Sequence, residues 1–452
     1  MVDSSTRARM SSGPRLASRA ERNRMTVPGA EAELPALGGV SPSAKRRSGT
    51  DRIAIVMVSL AVAVMPILVP TGPGNTAPVD VMIAVAIVAA AYWLSSSGMR
   101  IHVPYVWPVW LLAVAGIIAS LLGPTPLHGT LAVVQDLFLL IWCAAIVNVC
   151  RTSSALSAVL GTWAWSAIGW SGVLLVQAAR GSDLTRTALT FGNPNLAASY
   201  LLVSLMVVVA CGRPRRRGLR VAACVLIVGA ILATGSLAGL VGLVVAGLSL
   251  TLLTIVRRAG IVPAVGAALC LVIAVGLVAG WMARTNVLGE AASSPNVLIR
   301  HSVGRADESS QHRDSLYQEE FGLFWNGSIW GIGPGATEEL LGQGQSTQTK
   351  EAHNDYIAVL VERGVLGAVG LVVLFGALFM RAKPISTERL DAGFAAVVPV
   401  PAAIPAALLA LAATAMFHEV LHFRHVWALF GIVGALYLWG RRDDRAPARV
   451  AS

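Results

Sequence analysis

The chain predicts an all-α, polytopic membrane protein with about twelve transmembrane helices and one long extracytoplasmic loop containing short interfacial helices. Three observations carry this. Of its 452 residues 55% are hydrophobic and only 13% charged, with a mean hydropathy of +0.67, a balance outside that of soluble domains. Apolar runs of about 17–25 residues recur along it, each long enough to cross roughly 30 Å of hydrocarbon as a helix. Lys and Arg then alternate from loop to loop in the way that membrane insertion imposes.

Residues 1–50, rich in Ser, Arg, Pro and Gly without periodicity, read as a disordered basic cytoplasmic tail. They are not a signal peptide, whose apolar core starts much earlier. Nine spans are expected within 51–283, at roughly 53–69, 79–94, 106–122, 130–150, 155–178, 195–211, 219–234, 237–256 and 261–283. An extracytoplasmic loop follows over 284–354, then three spans within 355–440, at roughly 356–380, 394–416 and 425–440, and a cytoplasmic tail over 441–452.

With the N-terminus inside, the cytoplasmic loops hold twelve Lys/Arg, from Arg100 and Arg151 through the Arg213–Arg220 group to Arg381, Lys383 and Arg389. The short outer loops hold three, Arg180, Arg186 and Arg424. Both tails are basic, so both termini are expected in the cytoplasm. The net charge of +11 is thereby a topology signal for the membrane's inner face, and no nucleic-acid partner is expected. The five cysteines, Cys143, Cys150, Cys211, Cys224 and Cys270, fall in or at the ends of spans, so no disulfide or cysteine metal cluster supports the outer loop.

Four polar features are expected on the outer face. Arg180 and Arg186 lead into Phe191-Gly192-Asn193-Pro194-Asn195, where Asn193 fits an N-cap and Pro194 the first helical position. Such a helix start either is a cap alone or favours an anion. From Arg313 to Trp325, Leu316, Tyr317, Phe321, Phe324 and Trp325 recur at helical spacing against Asp314, Gln318, Glu319 and Glu320, the pattern of an interfacial helix. Gly331-Ile332-Gly333-Pro334-Gly335 then forces a tight turn, and 336–341 is expected as a short second helix. No Lys-Ser/Thr pair follows the glycines, unlike a phosphate loop.

His353-Asn354 stands at the outer mouth of span ten. An imidazole at the water boundary, with a pKa near 6.5, serves either as a surface hydrogen-bonder or as a proton acceptor at neutral pH. Gly364 and Gly367, about three turns deeper, are expected to let another helix approach closely. Asp136, about two turns inside span four, is an intramembrane charge that is either structurally paired or orients a site arginine.

Together, Asn193-Pro194-Asn195 opening a span, Arg313 with Phe324-Trp325 and the glycine turn, and His353-Asn354-x9-Gly364-x-x-Gly367 resemble the O-antigen ligase / O-antigen polymerase family of bacterial envelope enzymes over spans five to twelve. The resemblance implies a metal-independent membrane glycosyltransferase of the bacterial cytoplasmic membrane, with no cofactor. Its donor would be a polyprenyl-diphosphate-linked glycan, and its acceptor a hydroxyl on a glycan, lipid or wall polymer. Carried over by position, His353 would be the general base and Arg313 would hold the donor diphosphate. Chemistry agrees: charge builds on the leaving diphosphate, and a guanidinium can meet it through paired hydrogen bonds. After Thr234-Gly235-Ser236, where many relatives place an arginine, this chain has Leu237. Arg186, then Arg180, are the candidates for a second diphosphate contact, with Asn193, Asn195, Asn354 and Asp136 as further substrate-binding candidates.

Two other functions use the same features. A transporter of polysaccharide or lipid-linked glycan would also use Asp136, although such proteins tend to show repeated halves with broken helices. His418-Glu419-Val420-Leu421-His422 spells His-Glu-x-x-His, in which two imidazoles one helical turn apart bind zinc. No third ligand follows for a protease, because Asp443 and Asp444 lie across the membrane. Lining the glycan site is the alternative role for Glu419 or His418.

Overall fold

The computed structural model describes residues 49–69, 76–180, 188–285, 289–290, 293–294, 317–325, 328–337, 340 and 354–441. Helices account for most of them, and no strand occurs among the described residues. In chain order they are α1 (Gly49–Ala63), α2 (Pro78–Ser97), α3 (Val106–Leu122), α4 (Pro126–Val149), α5 (Ser153–Arg180), α6 (Pro194–Cys211), α7 (Arg217–Ala233), α8 (Leu237–Ala259) and α9 (Ile261–Arg284). After the polar interruption come α10 (Asp355–Thr387), α11 (Ala392–Val397), α12 (Ala403–Thr414) and α13 (Arg424–Trp439). A further helix spans 317–325 within the interruption. The expected tail over 1–50 lies outside the described residues except at 49–50, and the expected helix at 336–341 is described only at 336–337 and 340.

Among the described residues, six helices are long and apolar enough to cross a membrane: α2, α4, α5, α6, α8 and α10. Six of the twelve expected spans coincide with these helices. α1, α3, α7, α12 and α13 have only 12–17 residues, below the ~20 that a perpendicular crossing takes. The run 394–416 is not one helix. Pro399 and Pro401 interrupt it, because proline lacks the amide that continues the ladder and disfavours helix in the residue before it, and α11 and α12 form on either side.

Local chemistry explains the ends. The Asn193 side chain accepts from the Asn195 amide at 2.8 Å, Ser236 accepts from Gly239 at 3.1 Å, and Asn354 accepts from Tyr356 and Ile357 at 2.9 and 3.3 Å. Each satisfies amide groups that a helix start leaves open. α6 is buried on every side, with nearly all of Leu196–Cys211 inside. Gly239 and Gly242 let α8 close on it. A Cβ at Gly239 would stand 2.7 Å from the Ala198 methyl, and one at Gly242 2.5 Å from Leu202 of α6 and 2.6 Å from Thr414. Without a hydrophobic drive between helices in lipid, such close approach supplies much of the packing energy.

Loop-to-loop bonds sort the connections onto two ends. At one end Leu68 and Val69 donate to Thr190, Asp355 donates to Ala415, and Ser236 donates to Asn195 at 2.7 Å. At the other, Asn148 donates to His102 at 2.7 Å, Val400 donates to Ala210, and Asp391 donates to Gly440. Arg100, Arg151, Arg213 and Arg441 all occur on the second end. Hydropathy alone would not require this segregation, and it matches the loop pairing that the charge pattern demands.

α10 is the exception to regular helix. Gly364 has φ 63° and ψ −167° inside it, a region open essentially only to glycine. The glycine turn docks on this break: Ile332 donates to Val361 at 3.1 Å, Gly333 to Glu362 at 2.9 Å, and Val365 to Ile329 at 3.0 Å. The turn thus satisfies backbone groups that the break frees, which a low-dielectric setting requires. The expectation that Gly364 and Gly367 admit a neighbouring helix is corrected. At Gly364 the approaching backbone is the turn, at Gly367 the space is taken by Val359 and Arg363 of the same helix, and of the glycines here it is Gly370 that meets α3, at Leu111 and Leu112.

Gly364→Ala should therefore destabilise the protein by about 2–3 kcal/mol or more, since the backbone strain alone costs about 1–3. The added Cβ would stand 2.2 Å from the Ile329 carbonyl. Thermal unfolding in a fixed detergent or nanodisc checks it. An unchanged midpoint would mean that the break relaxes into ordinary helix.

Candidate functional site

The broken stretch of α10 opens a polar pocket towards the end where α10 begins. Asp136 from α4, Asp355, Glu362 and Arg363 from α10, and Glu419 and His422 from the α12–α13 connection line it, backed by Val109, Leu112, Leu374 and Trp427. Its volume of about 20 Å³ admits a water molecule but no sugar ring. The α10 start is sewn to that connection. The Asp355 carboxylate accepts from the Val420 amide at 2.7 Å, the Asp355 amide donates to Ala415, and the Tyr356 hydroxyl donates to Ala412 at 2.8 Å.

Arg363 and Asp136 are the pocket's fixed ion pair. Nη2 lies 2.5 Å from Oδ2, with side chains 5% and 11% exposed, and Nη1 donates to the Leu112 carbonyl at 3.2 Å. Two buried charges cost several kcal/mol each in desolvation and persist because each neutralises the other. His422 stands between two carboxylates, 3.7 Å from Asp136 Oδ1 and 3.5 Å from Glu419 Oε2. Burial works against its charged form, but the Glu419 bond and the Asp136 charge prevail and push its pKa up to about 9. The imidazolium is therefore the resting form at neutral pH. Four carboxyl groups thus share the pocket with two cations, and each cation is already engaged by a carboxylate.

The helix at 317–325 lies against this region. Tyr317 donates to the Met416 carbonyl at 3.0 Å. A helix forms within the expected stretch, with Phe321 and Trp325 exposed. Its polar face is corrected at one position: Glu320 is fully buried. Burial first, then the charges of Glu419, Glu362 and Glu319, push its carboxyl up to about 8.

Arg313, His353 and Arg186, the residues expected to handle base catalysis and the diphosphate, lie outside the described residues. Asp136 lines the pocket, and Asn354 caps the helix that carries it. Arg180 is exposed at the end of α5, and Asn193 and Asn195 sit at the α6 start; none of these three lines the pocket. The His-Glu-x-x-His premise is corrected: 415–423 forms turns rather than helix, so the two imidazoles do not share a helical face. His418 packs against Phe423 while His422 turns to Asp136 and Glu419, and no group of three potential metal ligands converges among the described residues. Sequence reasoning missed Arg363, Glu362, Asp355 and the burial of Glu320. Glu362-Arg363 was detectable as a charged pair inside an apolar run.

Fold and pocket together define a multi-pass helical membrane protein with a buried ionisable site at one end of its bundle. Residues 222–372, from α7 past the α10 break, match the family model described as O-antigen ligase. Over this stretch the chain is similar to the O-antigen ligase family. A search among proteins of curated function returns no match.

Proposed function

We propose that the protein transfers a glycan from a polyprenyl-diphosphate donor to an acceptor hydroxyl at the outer face of the bacterial cytoplasmic membrane. The observation that carries the reading is the ionisable pocket beneath Asn354, the residue that follows His353, on a helix within the family match. In this reading His353 takes the acceptor's hydroxyl proton. The acceptor oxygen bonds to the anomeric carbon, and the bond from that carbon to the diphosphate breaks with its electrons staying on the leaving lipid diphosphate. No metal enters this scheme.

Electrostatics divides the labour. In the pocket Arg363 and His422 are already engaged by carboxylates, which leaves neither for a diphosphate, so the donor's charge belongs with Arg313, and secondarily with Arg186 and Arg180, while the pocket serves the acceptor side. The positive-inside pattern orients this end outward. A transporter is the second reading, favoured by one observation: α10 is a broken helix beside buried charges, as at transporter sites.

Purified protein in vesicles, given a labelled lipid-linked oligosaccharide and an acceptor glycan, distinguishes the two. New glycosidic product supports transfer, whereas movement of the donor across the bilayer without product supports transport. Arg313→Lys should lower the transfer rate about 10–100-fold, since an ammonium forfeits one charge-assisted hydrogen bond worth roughly 1.5–3 kcal/mol. Wild-type rates in that variant would move the diphosphate elsewhere.

A further inference from the structure

Glu320 is a charged-type side chain with 0% exposure, and neither of its carboxyl oxygens has a hydrogen-bond partner among the described residues. Among the described residues, no element packed against it offers a free cation. Its own helix contributes Glu319, α10 contributes Glu362, and the α12–α13 connection contributes Glu419. Behind these stand Asp355, Arg363, His422 and Asp136. Arg363 is held by Asp136, and His422 is divided between Asp136 and Glu419. An ionised Glu320 would thus stand among these three carboxylates with no cation among the described residues free to offset it, at a cost that would expel it into water. The same helix exposes Phe321 and Trp325 on its other side, so its docking depends on few apolar contacts, with Tyr317 bonded to Met416 at its start.

We propose that the helix at 317–325 is a proton-latched lid: it closes over the carboxylate pocket with a proton held by Glu320 among Glu362 and Glu419, and opens when that proton leaves. The lid therefore senses the pH of the compartment that the pocket faces. Docked, the Glu320 carboxyl titrates at about 8, against 4.5 for the ordinary group. Because the docked value is the higher one, closure is fully supported below pH 4.5. It weakens by up to tenfold per pH unit through the interval up to about 8 and then levels off. Neighbouring acids hold the proton in place, and no ligand or metal is needed. Lid behaviour is independent of the reaction that the pocket serves.

Hydrogen–deuterium exchange on the full-length protein in nanodiscs reads the latch directly. After correction for the intrinsic pH dependence of exchange, protection of the 317–325 amides should fall at least tenfold between pH 5.5 and 7.5, while α6 amides keep theirs. Glu320→Gln, neutral and of the same shape, should remove that slope and leave the segment protected at both pH values. Glu319→Gln, on an exposed side chain, should retain it. Equal protection of the wild type at the two pH values overturns the proposal, and so does a wild-type slope in Glu320→Gln. The wild-type comparison decides even if a variant does not fold.

Discussion

Replacing Arg363 by Ala should destabilise the protein by about 3–5 kcal/mol, enough to depress its abundance in the membrane. The figure follows from the asymmetry of buried ion pairs: removing one partner leaves the other charged, desolvated and alone. Asp136 would be that orphan, since its remaining neighbour is His422 at 3.7 Å, beyond hydrogen-bond distance. Arg363 also joins three helices, α10 through its backbone, α4 through Asp136 and α3 through the Leu112 carbonyl. Arg363→Met with Asp136→Leu should recover most of the loss, because the pair's mutual attraction does little more than offset its desolvation. Thermal unfolding midpoints and membrane abundance of both singles and the double close the cycle. A double variant as unstable as the sum of the singles would show that the two side chains act separately.

The fold was legible where a single segment determines the answer. Apolar runs marked α1 to α10 and α13 to within about seven residues at each end, while α11 and α12 fell in a single run. Asn193 could be read as a cap because N-cap chemistry is local. What escaped depends on contacts distant in sequence. Arg363 pairs with a residue 227 positions away, so its partner could not be inferred from spacing. The break at Gly364 was hidden because glycine is frequent in membrane helices. Only the docked turn from Ile329 to Gly333 makes φ 63° worth its strain. Glu320 reversed expectation because helical periodicity assigns a face, and the face it assigned as polar meets other acids rather than water. Span length misled at 394–416, where a hydropathy reading weighs the prolines too little. Of the candidate site, Asp136 and Asn354 were legible as an intramembrane charge and a helix start. Asp355 and Glu362 acquire meaning only when α10 is brought against the α12–α13 connection, whereas Glu419 was legible as a candidate to line the site.

His353→Ala carries the other large expected effect. A positioned general base contributes roughly 10²–10⁴-fold to rate. The methyl group has no proton affinity to replace it, while Asn354 would still cap α10 through the Tyr356 and Ile357 amides. Folding and transfer should consequently separate in this variant, unlike Arg363→Ala, which is expected to lose both.

The most direct measurement is glycan transfer by purified wild-type and His353→Ala protein in the same vesicles, with lipid-linked donor and acceptor supplied and protein amount and unfolding midpoint matched. The account predicts product with the wild type and a rate at least a hundredfold lower with the variant, at unchanged stability. Transfer at the wild-type rate by the variant would contradict it.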